Sequence, residues 1–146
     1  MVIRPAEATD LPGLAVLFDL YRQFYHCAPD PDLALAFLTA RMERHESHVL
    51  VAASSADVFG FTQLYPTFCS VDAGRILVLY DLFVSSGQRR QGLGEKLMRA
   101  AHEFALEQGA VRLDLETAKD NLPAQALYEK LGYQRDNEFF KYSYTL

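Results

Sequence analysis

Only two cysteines, Cys27 and Cys69, occur in 146 residues, and neither has a paired neighbour at metal-ligand spacing. That excludes a disulfide framework and a structural zinc site, so both are expected to be small buried hydrophobes. No apolar run approaches the roughly 18 uncharged residues of a membrane helix, and MVIRPAEATD lacks the layout of a signal peptide. The expectation is a soluble, cytoplasmic protein with no membrane partner. Positive charge is scarce too: 14 Lys and Arg stand against 19 Asp and Glu, net −5. The chain repels polyanions, so no nucleic-acid partner is expected, and a cationic ligand fits better. Of the four histidines, His45 and His48 have no third ligand nearby, so no metal site is expected and the two read as a solvated pair. His26, beside Tyr25, is placed at the border of a substrate pocket, and His102 on the outer face of a helix.

Repeats, low-complexity segments and linkers are absent as well, which leaves one domain over residues 1–146, long enough to bury roughly 70% of its unfolded surface. Periodicity then sets the order of elements. A short strand VIR precedes Thr9 and Asp10, N-cap candidates in front of Leu11 and Pro12. Leu14, Leu17, Phe18, Tyr21, Phe24 and Tyr25 form one helical stripe ending near Cys27. CAPDPD breaks it, and Leu35, Leu38 and Met42 mark a second helix ending around RHES. HVLVAAS and VFGFTQLYPTF, separated by SSAD, read as a hairpin, which the strand Arg75 to Val84 extends into an antiparallel meander. A third helix carries Leu93, Leu97, Ala101 and Phe104 on one face and stops at Gly109. VRLDLET alternates as a strand, DNLP opens a helix at Asn121 to Pro123, and LGY closes it at Gly132. The segment NEFFKYSYTL is expected to be a last strand, able to pair two copies as a homodimer. The fold class is α/β, a mixed sheet with helices on both faces.

One junction points to chemistry. The nearly continuous apolar run RILVLYDLFV reads as a strand buried on both faces, and GQRRQGLGEKLM follows as a glycine-bearing turn and a helix. A helix start offers unpaired N–H groups and partial positive charge, a site for an anion such as phosphate. The third glycine of a dinucleotide fingerprint and the Gly-Lys-Ser/Thr of a triphosphate loop are both missing. A pyrophosphate cradle remains, with Arg89 and Arg90 neutralising charge and Gly92 and Gly94 letting the backbone approach. An ordinary loop with solvated arginines is the alternative.

RRQGLG resembles the R/Q-x-x-G-x-G/A signature of the GNAT N-acetyltransferases. A second block, Asn121, Ala124 and LYEKLGY from Leu127 to Tyr133, resembles the asparagine and aromatic-bearing helix of that family, and VIRPAEATD resembles its usual opening. The likeness covers essentially the whole chain, and the strand YDLFV is most similar to the small-amine, polyamine and related histone-type branch. It implies a mostly antiparallel sheet of six to seven strands and transfer of an acetyl group from acetyl-coenzyme A to a small-molecule amine. The pyrophosphate would lie on Arg89, Arg90, Gln91, Gly92, Leu93, Gly94 and Glu95, and the pantetheine would pair like a strand with Leu82, Phe83 and Val84. Asn121 would stand near the pantetheine arm and Tyr128 near the thioester sulfur as hydrogen-bond donor.

The proton acceptor is less defined. An alkyl amine of pKa about 10.4 is almost wholly protonated near neutrality, and many family members carry a glutamate on the long strand, where this chain has Tyr80 and Asp81. Alternation puts Tyr80 and Leu82 on one face and Asp81 and Phe83 on the other unless a bulge intervenes. Asp81 is either the base or a buried structural hydrogen-bonder, with Glu116 or a water chain as further options. Tyr21, Tyr25, Tyr65, Tyr80, Glu116, Phe68, Asp30 and Asp32 are candidates for the acceptor site, by charge and cation–π attraction, the tyrosines and aspartates being otherwise core and turn residues. A protein lysine or N-terminal acetyltransferase and a non-catalytic acyl-CoA-binding module are the rival functions.

Overall fold

Val49, Val51 and Ala53 alternate with Leu50 and Ala52 along one strand, and all five are buried, so that strand has an apolar layer on both faces. The computed structural model describes residues 1–55 and 57–146 and divides into two units, Met1–Glu116 and Thr117–Leu146. Ala56, in the SSAD spacer, lies outside the described residues. The first unit holds β1 (Val2–Pro5), α1 (Leu11–Phe24), α2 (Pro31–Glu43), β2 (His48–Ala53), β3 (Val58–Cys69), β4 (Gly74–Val84), α3 (Leu93–Glu107) and β5 (Arg112–Leu115). Its sheet runs β1-β2-β3-β4-β5, antiparallel except for the parallel β4–β5 pair. The mixed, mostly antiparallel sheet is as expected, with five strands among the described residues where six to seven were anticipated.

Helices cover both faces of this sheet. Leu14, Leu17 and Phe18 of α1 and Ala34 and Leu38 of α2 pack with Val49, Val51, Ala53 and Phe61. On the opposite face Leu93 and Leu97 of α3 pack with Ala52, Leu82 and Val84. Leu14, Leu38 and Leu97 have no exposed surface; truncating any of them to alanine would cost about 2–5 kcal/mol.

The helix ends explain residues that the sequence left ambiguous. In α1 the N–H groups of His26 and Cys27 return to Gln23 O and Arg22 O at 2.9 and 3.0 Å, and in α2 those of His45 and Glu46 return to Met42 O and Arg41 O at 3.2 and 3.0 Å. These are Schellman closures in which histidines take the left-handed position, with φ of 67° and 52°; Gly109 fills the same place after α3. Cys27 is exposed and Cys69 partly so, which corrects the buried-hydrophobe expectation: both sit at element ends, Cys27 after the α1 closure and Cys69 as the last residue of β3. His48 is not a solvated partner of His45. Its ring lies 4.9 Å from that of Phe104, and burial, then Arg75, holds its pKa below the usual histidine value.

Asp10 precedes α1, but its carboxylate does not cap it. It takes two bonds from Arg4 at 2.7 and 2.9 Å and one from Glu7 N–H at 2.7 Å. Asp30 does cap α2, accepting from Leu33 N–H at 3.1 Å, while its own N–H donates to the buried Asp19 at 2.9 Å. It is therefore a turn residue.

In the second unit α4 (Leu122–Lys130) is capped by Asn121, whose Oδ1 accepts from Ala124 N–H at 3.3 Å. Tyr133 N–H and Gly132 N–H close it on Tyr128 O and Glu129 O at 3.0 and 3.1 Å. Residues 134–146 form no helix or strand, so the expected final strand is absent. A strand exists only through ladder pairing, and no ladder includes this segment.

Candidate active site

The β3–β4 register slips at one point. Gln63 is opposite Asp81, but Leu64 is opposite Leu79, so Tyr80 is an extra residue, a β-bulge. The Tyr80 ring meets that of Tyr65 at 5.4 Å, and Tyr65, two residues past Gln63, shares its face. Tyr80 and Asp81 thus turn to the same side, where simple alternation would have separated them. Parallel pairing of β4 with β5 covers only Ile76 to Leu79. From Tyr80 to Val84 the edge of β4 away from β3 has no strand partner among the described residues.

Asp81 is 3% exposed. Its Oδ2 accepts from Gln63 Nε2 at 2.6 Å, and Gln63 Oε1 accepts from Ser47 Oγ at 2.9 Å. The Tyr21 hydroxyl donates to Tyr80 O at 3.4 Å and lies close enough to the Asp81 carboxylate for the two to shift each other's pKa. Burial raises the Asp81 pKa above the ordinary carboxylate value, and the bond from Gln63, then the nearby Tyr21 hydroxyl, pulls it part of the way back. The same burial, with the carboxylate's charge, pushes the Tyr21 and Tyr65 hydroxyls far above the ordinary tyrosine range, so both stay protonated as donors. Tyr21 stacks edge-on to Tyr25 at 5.1 Å and to Phe83 at 6.3 Å. Tyr21, Tyr65 and Tyr80 therefore lie about Asp81, and Tyr25 joins them only through the Tyr21 ring. Phe68 belongs elsewhere, 69% exposed under the Arg75 guanidinium. Glu116 is exposed, one residue past the Leu79–Leu115 pairing. Gln63, Ser47 and Thr62 were not anticipated. A glutamine inside the apolar strand VFGFTQLYPTF, on the face of Phe61 and Tyr65, was the available signal.

The glycine turn follows directly from β4. A short 3-10 turn, Ser86–Gln88, leads to Arg89, whose Nε donates to Val84 O at 3.0 Å and whose guanidinium lies 5.3 Å over the Phe83 ring. Arg90 and Gly92 then take φ of 63° and 71°, which aims the chain into α3 with Gly92 as N-cap. A side chain added at Gly92 or Gly94 would meet nothing within 4 Å. The start of α3, where Lys96 N–H first reaches back to Gly92 O, thus faces open space beside two exposed arginines. Backbone donors, a helix dipole and nearby positive charge fit a pyrophosphate.

In the second unit Tyr128 is half-buried on α4, its ring 6.1 Å from that of Tyr133. The Tyr133 hydroxyl is buried without a hydrogen-bond partner, and burial, then Tyr128, raises its pKa. Asn121 spends its carbonyl oxygen on capping and keeps its amide N–H groups as donors.

Comparison with known proteins bears on this arrangement. The acetyltransferase (GNAT) family model matches residues 14–133. The chain is 46% identical over 142 residues to the uncharacterised N-acetyltransferase YhfO of Bacillus subtilis, covering 97% of this chain and 95% of that one. It is 32% identical over 121 residues to a probable acetyltransferase of Haemophilus influenzae, covering 82% and 83%. A crystal structure of a probable acetyltransferase superposes with TM-score 0.93 at 36% identity, covering 100% of this chain and 98% of that chain. With a family match from within α1 through the end of α4, and a relative of nearly the same length 46% identical, the chain belongs to the GNAT family of acetyltransferases.

Proposed function

We propose that this acetyltransferase moves an acetyl group from acetyl-coenzyme A directly to a small cationic primary amine. The observation that carries this reading is a buried Asp81 ringed by tyrosines at the point where β4 leaves β5. A carboxylate attracts an ammonium ion, and the faces of Tyr21, Tyr65 and Tyr80 add cation–π attraction. Asp81 accepts the ammonium proton. Its raised proton affinity suits that step, because an acceptor is most effective near the operating pH.

Bound acetyl-coenzyme A supplies the activated acetyl thioester. The backbone from Arg89 to Glu95 holds its pyrophosphate, and the open edge at Leu82 to Val84 receives its pantetheine in strand-like fashion. Asn121 orients the same arm through its amide N–H groups. Tyr128 Oη offers a hydrogen bond to the departing sulfur; full proton donation from a phenol of pKa about 10 to a thiolate of about 8.5 is uphill by roughly 2 kcal/mol, so transfer falls late. Two copies associate through the C-terminal segment, where Phe139, Phe140, Tyr142 and Tyr144 are 80–90% exposed and form more aromatic surface than a monomer ordinarily leaves in water.

The test is thiol release from acetyl-coenzyme A against polyamines, amino acids, lysine peptides and peptides with free N-termini. Release dependent on a small amine supports the reading. Release only with peptides replaces it with protein acetylation, and coenzyme A binding without release replaces it with a binding module. Light scattering at increasing concentration tests the dimer, and a constant monomer mass rejects it.

A further inference from the structure

Gln63 has no exposed surface, yet it interrupts the apolar face of β3 between Phe61 and Tyr65. A buried amide costs free energy unless both ends are bonded, and here both are: Nε2 to Asp81 Oδ2 at 2.6 Å and Oε1 to Ser47 Oγ at 2.9 Å. The Ser47 hydroxyl donates to Oε1, which turns the NH2 end toward Asp81. Ser47 thus sets the amide's orientation from the loop between α2 and β2.

We infer that Gln63 is a positioning residue for acetyl transfer: locked by Ser47, it grips Asp81 through Oδ2 and keeps the carboxylate ionised and in place to take the proton. The inference rests on Asp81 as the proton acceptor proposed above. The chemistry favours an amide in this place. Tyr21 approaches from α1, Tyr65 from β3 and Tyr80 from β4, with Tyr25 just past the end of α1 acting on Tyr21 and Arg41 of α2 acting on Tyr65. A lysine or arginine at position 63 would also favour the ionised carboxylate, but its charge would cancel the attraction for a cationic amine. A neutral donor favours ionisation and leaves the full negative charge for the substrate. The bond that opposes burial therefore comes from a group that adds no charge to the site.

The experiment follows the Asp81 titration by its protonated-carboxyl infrared band, assigned by the band's disappearance in Asp81→Asn, alongside the acid limb of kcat with whichever amine is turned over. Gln63→Leu is expected to move the Asp81 titration up by about one pH unit. The acid limb of kcat should move with it, and the KM for acetyl-coenzyme A should stay unchanged. Ser47→Ala, which frees the amide while leaving Gln63 in place, should shift the titration in the same direction by less, and it serves if Gln63→Leu does not fold. A pH-independent fall in kcat with an unmoved Asp81 band overturns the inference and leaves Gln63 a packing residue. The acceptor role fails separately if Asp81→Asn retains the acid limb; the infrared shift would then still decide whether Gln63 grips the carboxylate.

Discussion

Thr62 donates its hydroxyl to the backbone oxygen of Asp81 at 2.8 Å, and both residues are buried. The backbone of Asp81 is thus held by a bond that does not involve its charge. Asp81→Asn should keep this bond and can keep an acceptor oxygen for Gln63. Because burial raises the Asp81 pKa, the folded protein loses stability as pH rises from the unfolded value of about 3.9 through the folded one. The asparagine variant is expected to unfold at the same temperature as the wild type or a higher one at neutral pH, and to transfer acetyl about 100- to 10,000-fold more slowly. Calorimetry with a thiol-release assay reads both; a fall in stability matched by the loss of activity would make the residue structural.

The two glycines of the turn separate binding from folding. Gly92 has φ of 71°, so Gly92→Val should cost about 1–2 kcal/mol of stability as well as coenzyme A affinity. Gly94 is already helical and faces open space. Gly94→Val should leave stability within about 0.5 kcal/mol and weaken coenzyme A binding at least tenfold, measured by isothermal titration. Undiminished affinity in both variants would rule out the cradle.

Tyr128 and Tyr133 are neighbours with different expected roles. Tyr128→Phe should lower turnover by about ten- to a hundredfold with coenzyme A affinity unchanged. Tyr133→Phe removes a buried hydroxyl that has no partner, and should be neutral or stabilising by up to about 1 kcal/mol. Urea titration and steady-state rates on the pair would reveal exchanged roles if the two results were reversed.

Arg4 holds the Asp10 pKa below the usual aspartate value, with a further contribution from Glu7 N–H. The stability this provides is complete above the unfolded pKa of about 3.9 and is lost as pH falls through the lower folded value. Asp10→Ala should cost about 1 kcal/mol at pH 7, a modest figure because the Arg4 side chain is 31% exposed and screened. Denaturation midpoints measured from pH 7 to pH 2 should converge with wild type at the acid end. A difference independent of pH would assign the effect to packing.

Much of the fold was legible because its signals are local. The α3 stripe of Leu93, Leu97 and Ala101, the Asn121 cap and the Gly132 closure all depend on residues within a few positions of one another. The histidine closures at His26 and His45 were not legible, since glycine is the usual marker of that conformation and histidine only an uncommon substitute. The strand expected from FFKYSYTL failed for the opposite reason: its pattern is right, but pairing depends on a partner that local sequence does not name. Around the site, the aromatic residues could be read from the sequence, whereas the Gln63–Asp81 bond joins positions 18 apart and depends on strand register. The facing of Tyr80 depended on the same register, and counting alternate residues gives the wrong side once a bulge is present.

That extra residue has a consequence for how such a site can change. Val78 and Leu79 on one flank and Asp81 and Leu82 on the other keep the pairing phase of an uninterrupted strand, since Leu79 already sits opposite Leu64 and Asp81 opposite Gln63. Tyr80 is inserted between two halves that would join without it. A lineage could gain or lose a residue here without turning a single core side chain outward, so the aromatic surface beside Asp81 can be edited by the length of one strand while the hydrophobic interior is inherited intact.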